Sequence, residues 1–147
     1  MKKQHSHQKK LPEQYNARDL LSYWDSLFEE YYKRDYQSSR LGQDMHILKS
    51  LLEENGVYNV LLGLERAIKN GVTSIQFLED NFVRNYVPEM PSPKVYFYLR
   101  QLKDKATQKL YDEQVSIFHK SYRTAADAKR DDEINEQLNQ WLEIVAV

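Results

Sequence analysis

Side chains that do chemistry are few in this sequence, and their spacing suits catalysis poorly. There is no cysteine, which removes thiol catalysis, zinc fingers, iron–sulfur clusters and disulfide staples. The pair His5 and His7 offers a metal two imidazoles, a weak grip beside the four ligands of a closed zinc site. Asp44 and His46 lie two residues apart on an expected helix and so point to different faces. Glu29, Glu30 and Asp35 read as a solvated acidic face, and His119 stands in a basic stretch with no paired nucleophile. No nucleophile elbow, Walker A loop, Gly-x-Gly-x-x-Gly, His-Glu-x-x-His or paired Glu-x-x-His occurs. These residues predict a protein that is not an enzyme and uses no cofactor and no metal.

Binding chemistry is better represented. Lys94, Arg100, Lys103, Lys105 and Lys109 fall in one expected helix, interleaved with Tyr96, Phe97 and Tyr98. Lys120, Arg123, Lys129 and Arg130 extend the field, and Lys2, Lys3, Lys9 and Lys10 form a basic arm. Cations beside aromatic rings suit phosphate contact together with stacking on unpaired bases. The competing reading makes the aromatics core and the lysines a solubilising face. The net charge of -1 hides this layout. It cancels blocks of +4 (residues 1–10), -5 (11–93), +5 (94–130) and -5 (131–147). Such blocks serve a polyanion ligand or pair with one another. A pI near 6.4 is low for a dedicated DNA binder.

The elements that carry these residues are expected to be helices. A chain of 147 residues holds one domain, or one with an extension, and can build a core without staples. Four glycines and four prolines are too few for the turns of a sheet protein. No run of eighteen apolar residues occurs, and no apolar stretch comes after the basic start. The expectation is therefore neither a membrane span nor a signal peptide, and a cytoplasmic location.

Residues 1–15 read as a disordered basic arm. Asn16 caps a first helix running to about Tyr36, with Asp19 in its first turn and the stripe Leu20, Trp24, Leu27, Phe28, Tyr31. A second helix is expected over about 43–54 and a third over about 57–70, each stopped by Asn-Gly (Asn55-Gly56, Asn70-Gly71). Thr73 and Gln76 match a capping box for a fourth, with Ile75, Leu78, Phe82, Val83 and Tyr86 as its stripe. These give a compact four-helix domain over residues 16–86. Residues 87–93 hold three prolines and read as a stiff linker, with Ser92 as N-cap and Pro93 as first residue of the next helix. Residues 94–147 contain no Gly or Pro. They read as one long helix or a helical hairpin, with stripes Val95, Leu99, Leu102, Ala106, Leu110 and Ile134, Leu138, Trp141, Leu142, Val145. The long helix would dimerise through its stripes.

Residues 20–86 carry Trp24-Asp25-Ser26-Leu27-Phe28-Glu29-Glu30-Tyr31-Tyr32, then Asp44-Met45-His46-Ile47-Leu48-Lys49-Ser50-Leu51-Leu52, Val60 to Ile68, and Ser74-Ile75-Gln76-Phe77-Leu78. This order of an aromatic helix, an Asp-x-x-x-Leu-Lys-x-Leu-Leu helix and a Val/Ile-rich helix resembles a helical module of replication and DNA-processing proteins of bacteriophages and other mobile elements of Gram-positive bacteria. Such proteins often carry a winged-helix domain before the module, where this chain has a short basic arm. The resemblance therefore implies an accessory role, docking on DNA or on a replication or transcription protein, rather than direct sequence reading. It assigns no individual binding residue.

Two functions are expected. The first is an accessory that binds nucleic acid without sequence readout, with Lys94, Arg100, Lys103, Lys105, Lys109, Lys120 and Arg123 on phosphate and Tyr96 or Tyr98 stacking. The second is a protein-interaction module, an inhibitor or adaptor anchored by Ile134, Leu138, Trp141 and Leu142. A DNA mimic built on the acidic blocks ranks last, since those blocks are modest and interrupted.

Overall fold

The structure, a computed structural model, describes residues 7, 10–78 and 81–146. Among them every regular element is helical and there is no strand. The helices are α1 (Ala17–Tyr32), α2 (Leu41–Asn55), α3 (Val57–Lys69), α4 (Phe82–Tyr86), α5 (Pro93–Leu102), α6 (Lys105–Phe118) and α7 (Ala125–Val145), with 3-10 turns at Pro12–Gln14 and Ile75–Leu78. None is long and apolar enough to cross a membrane. The chain divides into two compact units, Met1–Pro88 and Glu89–Val147.

In the N-terminal unit, Asn16 caps α1 by accepting from the Asp19 N–H (3.1 Å), and Asp19 accepts in return from the Asn16 N–H (3.0 Å). The buried Asp19 also holds Lys10 at 2.9 Å, while Tyr15 donates to the His7 carbonyl (2.9 Å) and His7 Nδ1 meets Ser22 Oγ (2.9 Å). The end of the expected free arm is thus packed on α1, where Lys10 offsets the cost of burying the Asp19 carboxylate. The rest of that arm, His5 included, lies outside the described residues.

Helix α1 stops at Tyr32, four residues before the expected end, where Lys33 turns left-handed (φ 59°). Tyr31 is consequently exposed, and Tyr32 turns inward instead. Its hydroxyl sits between the carbonyls of Ile68 (2.8 Å) and Val72 (3.0 Å), tying the end of α1 to the end of α3. The polar break after it folds back on the fully buried Asp44, whose Oδ2 accepts from Tyr36 (2.8 Å) and Ser38. Asp44 is an anchor for this loop, whereas His46 is exposed. Gly56 (φ +81°) and Gly71 (φ +90°) make the two stops between helices, conformations that a Cβ would strain.

Leu20, Trp24, Leu48, Leu61, Leu64 and Ile68 form the shared core of α1, α2 and α3. The expected fourth helix is absent as one element. A 3-10 turn buries Ile75 and Leu78, and the five-residue α4 buries Phe82 and leaves Val83 exposed. The break sits at Asn81, which takes φ 56°. It lets Phe82 lie on α3 at Gly63, where a Cβ would stand 2.9 Å from Phe82 Cε1 and nearer still to Cζ.

The C-terminal unit corrects the expectation for residues 94–147. It is neither one long helix nor a two-helix hairpin but three helices. Lys103 caps α5 in the left-handed region (φ 54°), and Asp104 starts α6 by accepting from the Thr107 N–H (3.1 Å). Thr124 and Asp127 form a capping box that starts α7. Restarting at Lys105 resets the helical phase. Leu102 and Ala106, expected inside, are exposed, and α6 buries Thr107, Tyr111, Gln114 and Ile117. Against them lie Val95, Phe97, Tyr98 and Leu99 of α5 and Ile134, Leu138 and Leu142 of α7. Gln114 stands at the centre. Its Oε1 accepts from Ser92 Oγ (3.2 Å), and its Nε2 donates to Asp131 Oδ1 (3.3 Å) and to Asn135 Oδ1. Ser92 precedes Pro93 at the N-cap position as expected, but its hydroxyl serves Gln114 and makes no cap bond.

Candidate nucleic-acid interface

The basic residues of the C-terminal unit fall into two groups. Those around the α6–α7 turn are occupied within the protein. Lys120 pairs with Asp127 (2.8 Å), and Arg130 grips Glu113 and reaches Glu133 (3.4 Å). Arg123 donates to the Phe118 carbonyl (3.0 Å) and lies over the Phe118 ring. The neighbours respond electrostatically. The Glu113 carboxyl is held low by its bond to Arg130, Asp127 is held low by Lys120, and Arg130 is pushed up by Glu113.

The second group surrounds the α5–α6 junction. Arg100, Lys103, Lys105 and Lys109 are exposed, and Lys94 is half-buried at the start of α5. Among the described residues Lys103, Lys105 and Lys109 have no ion-pair partner. Lys105 and Lys109 are one helical turn apart on one face of α6. Lys105 occupies the first turn of α6, where a cation opposes the helix dipole, so its position does not serve the helix.

Aromatic residues expected to stack are placed less favourably. Tyr98 is 7% exposed, and its ring belongs to the core, because α5 turns Phe97, Tyr98 and Leu99 inward together. Tyr96 is half-buried between the Arg100 guanidinium, 5.6 Å from its centroid, and the Tyr111 ring at 6.0 Å. The expected partner-binding set is spent internally: Ile134, Leu138 and Leu142 are buried against the unit's own helices. Trp141 alone keeps part of its surface, and its indole N–H donates to Asp104 Oδ2 (3.2 Å). Asp104 therefore uses one oxygen to cap α6 and the other to hold Trp141 at the basic junction. Its carboxyl is held below the usual value, first by the Thr107 N–H and also by Trp141. Sequence reasoning missed this residue. Its signal was an Asp three residues before a Thr, a common pairing.

One surface pocket lies in the N-terminal unit, about 520 Å³ in volume, lined by Phe28, Arg34, Asp35, Tyr36, Gln37 and Thr73. Burial pushes the Tyr36 hydroxyl up to about 12, and the Arg34 guanidinium lies 5.2 Å over the Phe28 ring. The Tyr36 hydroxyl at this lining donates to Asp44 (2.8 Å), and among the described residues no cluster of three or more His, Asp or Glu is placed to hold a metal. Compared with protein-family models, curated proteins and solved structures, the chain has no match in any of the three.

Proposed function

We propose that this chain is a non-enzymatic accessory protein that binds nucleic acid, without reading its sequence, through the α5–α6 junction. The observation that carries this reading is the contrast between the two basic groups. Lys120 and Arg130 are neutralised by neighbouring carboxylates, whereas Lys103, Lys105 and Lys109 stand exposed and unpaired among the described residues. Side chains placed this way can exchange counterions for phosphates. The resemblance of residues 20–86 to modules of phage replication and DNA-processing proteins supports a place beside such a complex, in the cytoplasm of a bacterial host.

The test is fluorescence anisotropy with a labelled oligonucleotide across a salt series. Contacts to three or four phosphates of a single strand give a log–log slope of about -2 to -3. Reversing charge at Lys103 and Lys109 together removes most of the affinity, while Lys120→Ala leaves it near wild type. Absence of binding at low salt refutes the proposal, and equal losses from the Lys103/Lys109 and Lys120 variants refute the choice of face.

A further inference from the structure

Resting on that reading, we infer that Trp141 is the stacking residue of the interface and that its ligand is single-stranded nucleic acid. Three observations converge on the indole. First, it is held in place. Its N–H donates to Asp104 Oδ2 at 3.2 Å, and Asp104 is itself fixed because its other oxygen caps α6. Second, Asp104 lies in sequence between Lys103 and Lys105, two of the exposed unpaired cations, so the indole is anchored within the basic cluster. Third, an apolar side chain lies one turn along the same face: Ile144, three residues after Trp141 on α7, is 78% exposed.

Other aromatics of the unit fit less well. Tyr98 is buried, and Tyr96 lies between Arg100 and Tyr111. Tyr122 is exposed, but its neighbours Lys120 and Arg123 are bonded to Asp127 and to the Phe118 carbonyl. A half-buried indole pinned at one edge cannot wedge between base pairs. An unpaired base, whose face is free, can lie on it while its flanking phosphates meet Lys103 and Lys105. Stacking of this kind tolerates any base, which suits a binder without sequence readout.

The experiment compares a labelled oligothymidylate with a duplex of the same strand length, at low salt, on the full chain. Wild type is expected to bind the oligothymidylate more tightly and to lose tryptophan fluorescence on binding. The second tryptophan, Trp24, is 0% exposed in the core of the other unit and contributes no quenching. Trp141→Ala weakens the single-strand complex roughly five- to hundred-fold and leaves the duplex complex unchanged. Trp141→Phe, which keeps a ring but not the N–H, retains part of the affinity and abolishes the quenching. Circular dichroism verifies that each variant is folded. If Trp141→Ala does not fold, quenching in wild type and its loss in Trp141→Phe decide. Single-strand affinity unchanged by either variant, or binding without quenching, overturns the inference. The nucleic-acid reading survives that result if reversal at Lys103 and Lys109 still abolishes binding. No binding of either nucleic acid by wild type overturns both.

Discussion

Met1–Pro88 takes two of its turns with glycines and packs its three long helices on aliphatic and indole side chains, whereas Glu89–Val147 contains no glycine and sets an amide among its apolar side chains. In the N-terminal unit Gly56 and Gly71 take the turns, and Leu20, Trp24, Leu48, Leu61, Leu64 and Ile68 fill the centre. In the C-terminal unit Lys103 takes the left-handed turn, as Lys33 does after α1, Asp104 and Thr124 start the next helices, and a glutamine occupies the middle. An apolar core tolerates several arrangements of similar volume. A buried amide must find partners in fixed directions. Gln114, bonded to Ser92, Asp131 and Asn135, therefore specifies how the start of α5 and the lengths of α6 and α7 meet. That specification keeps Trp141 opposite Asp104 and the free lysines at one junction.

The largest effects expected are in the two cores. Leu64→Ala and Leu138→Ala each remove a side chain that is essentially inaccessible, and each costs about 2–5 kcal/mol in urea unfolding. Amide hydrogen exchange distinguishes them. Leu64→Ala lowers protection in α1–α3, and Leu138→Ala in α5–α7. Unchanged protection of α6 in the Leu138→Ala protein would break the assignment of α7 to that core.

Smaller losses sharpen the contrast in materials. Gln114→Ala leaves Ser92, Asp131 and Asn135 each one partner short inside the unit and costs about 1–3 kcal/mol. Gln114→Leu restores volume but not the bonds. If it is as stable as wild type, the polar seam is dispensable for stability and the contrast between the units weakens. Gly63→Ala is the counterpart in the N-terminal unit. Its new methyl group meets the buried Phe82 ring, and overpacking costs about 1–3 kcal/mol, read as a fall in Tm.

The same contrast explains what the residues disclosed. Helices α2 and α3 were legible, because an Asn-Gly pair marks each end and an apolar stripe marks each face. The end of α1 was not. Lys33 adopts a conformation that its residue type disfavours, and tertiary contacts of Tyr32 and Tyr36 hold it there. Of the expected fourth helix Ile75, Leu78 and Phe82 were legible as buried positions, but Val83 is exposed and the break was not legible, since Asn81 is compatible with either outcome. After Pro93 no Gly or Pro signals a stop, so a continuous stripe was drawn through Lys103. One left-handed residue shifted the phase and exchanged Leu102 and Ala106 for Tyr111 and Gln114. For the candidate interface, the cluster of cations could be read from composition. Which of them are free could not, because Lys120–Asp127 and Arg130–Glu113 form across the α6–α7 turn.

The smallest expected effect is a titration of surface carboxyls along α6 and at the start of α7. Asp104, Asp127 and Glu113 are surface carboxyls held below their ordinary values by, respectively, the Thr107 N–H, Lys120 and Arg130. A folded-state value below the unfolded one means that the ionised form is favoured by folding. These contributions are complete above about pH 4 and fade as pH falls through the depressed values. Tyr36 in the N-terminal unit carries the opposite sign. Burial raises its hydroxyl to about 12, so its contribution is present below the ordinary 10.0 and is lost as pH rises through about 12. Burial also raises Tyr111 in the C-terminal unit, so an alkaline scan touches both units. Protonating Asp104 weakens its hold on the indole. Trp141 emission should therefore shift to the red below about pH 4, while the enclosed Trp24 keeps its spectrum until global unfolding. Trp141→Phe removes the early shift, and Asp104→Asn, which keeps a cap but not the charge, makes it independent of pH in that window. An emission spectrum that stays constant until the whole chain unfolds would show that Asp104 does not position the indole.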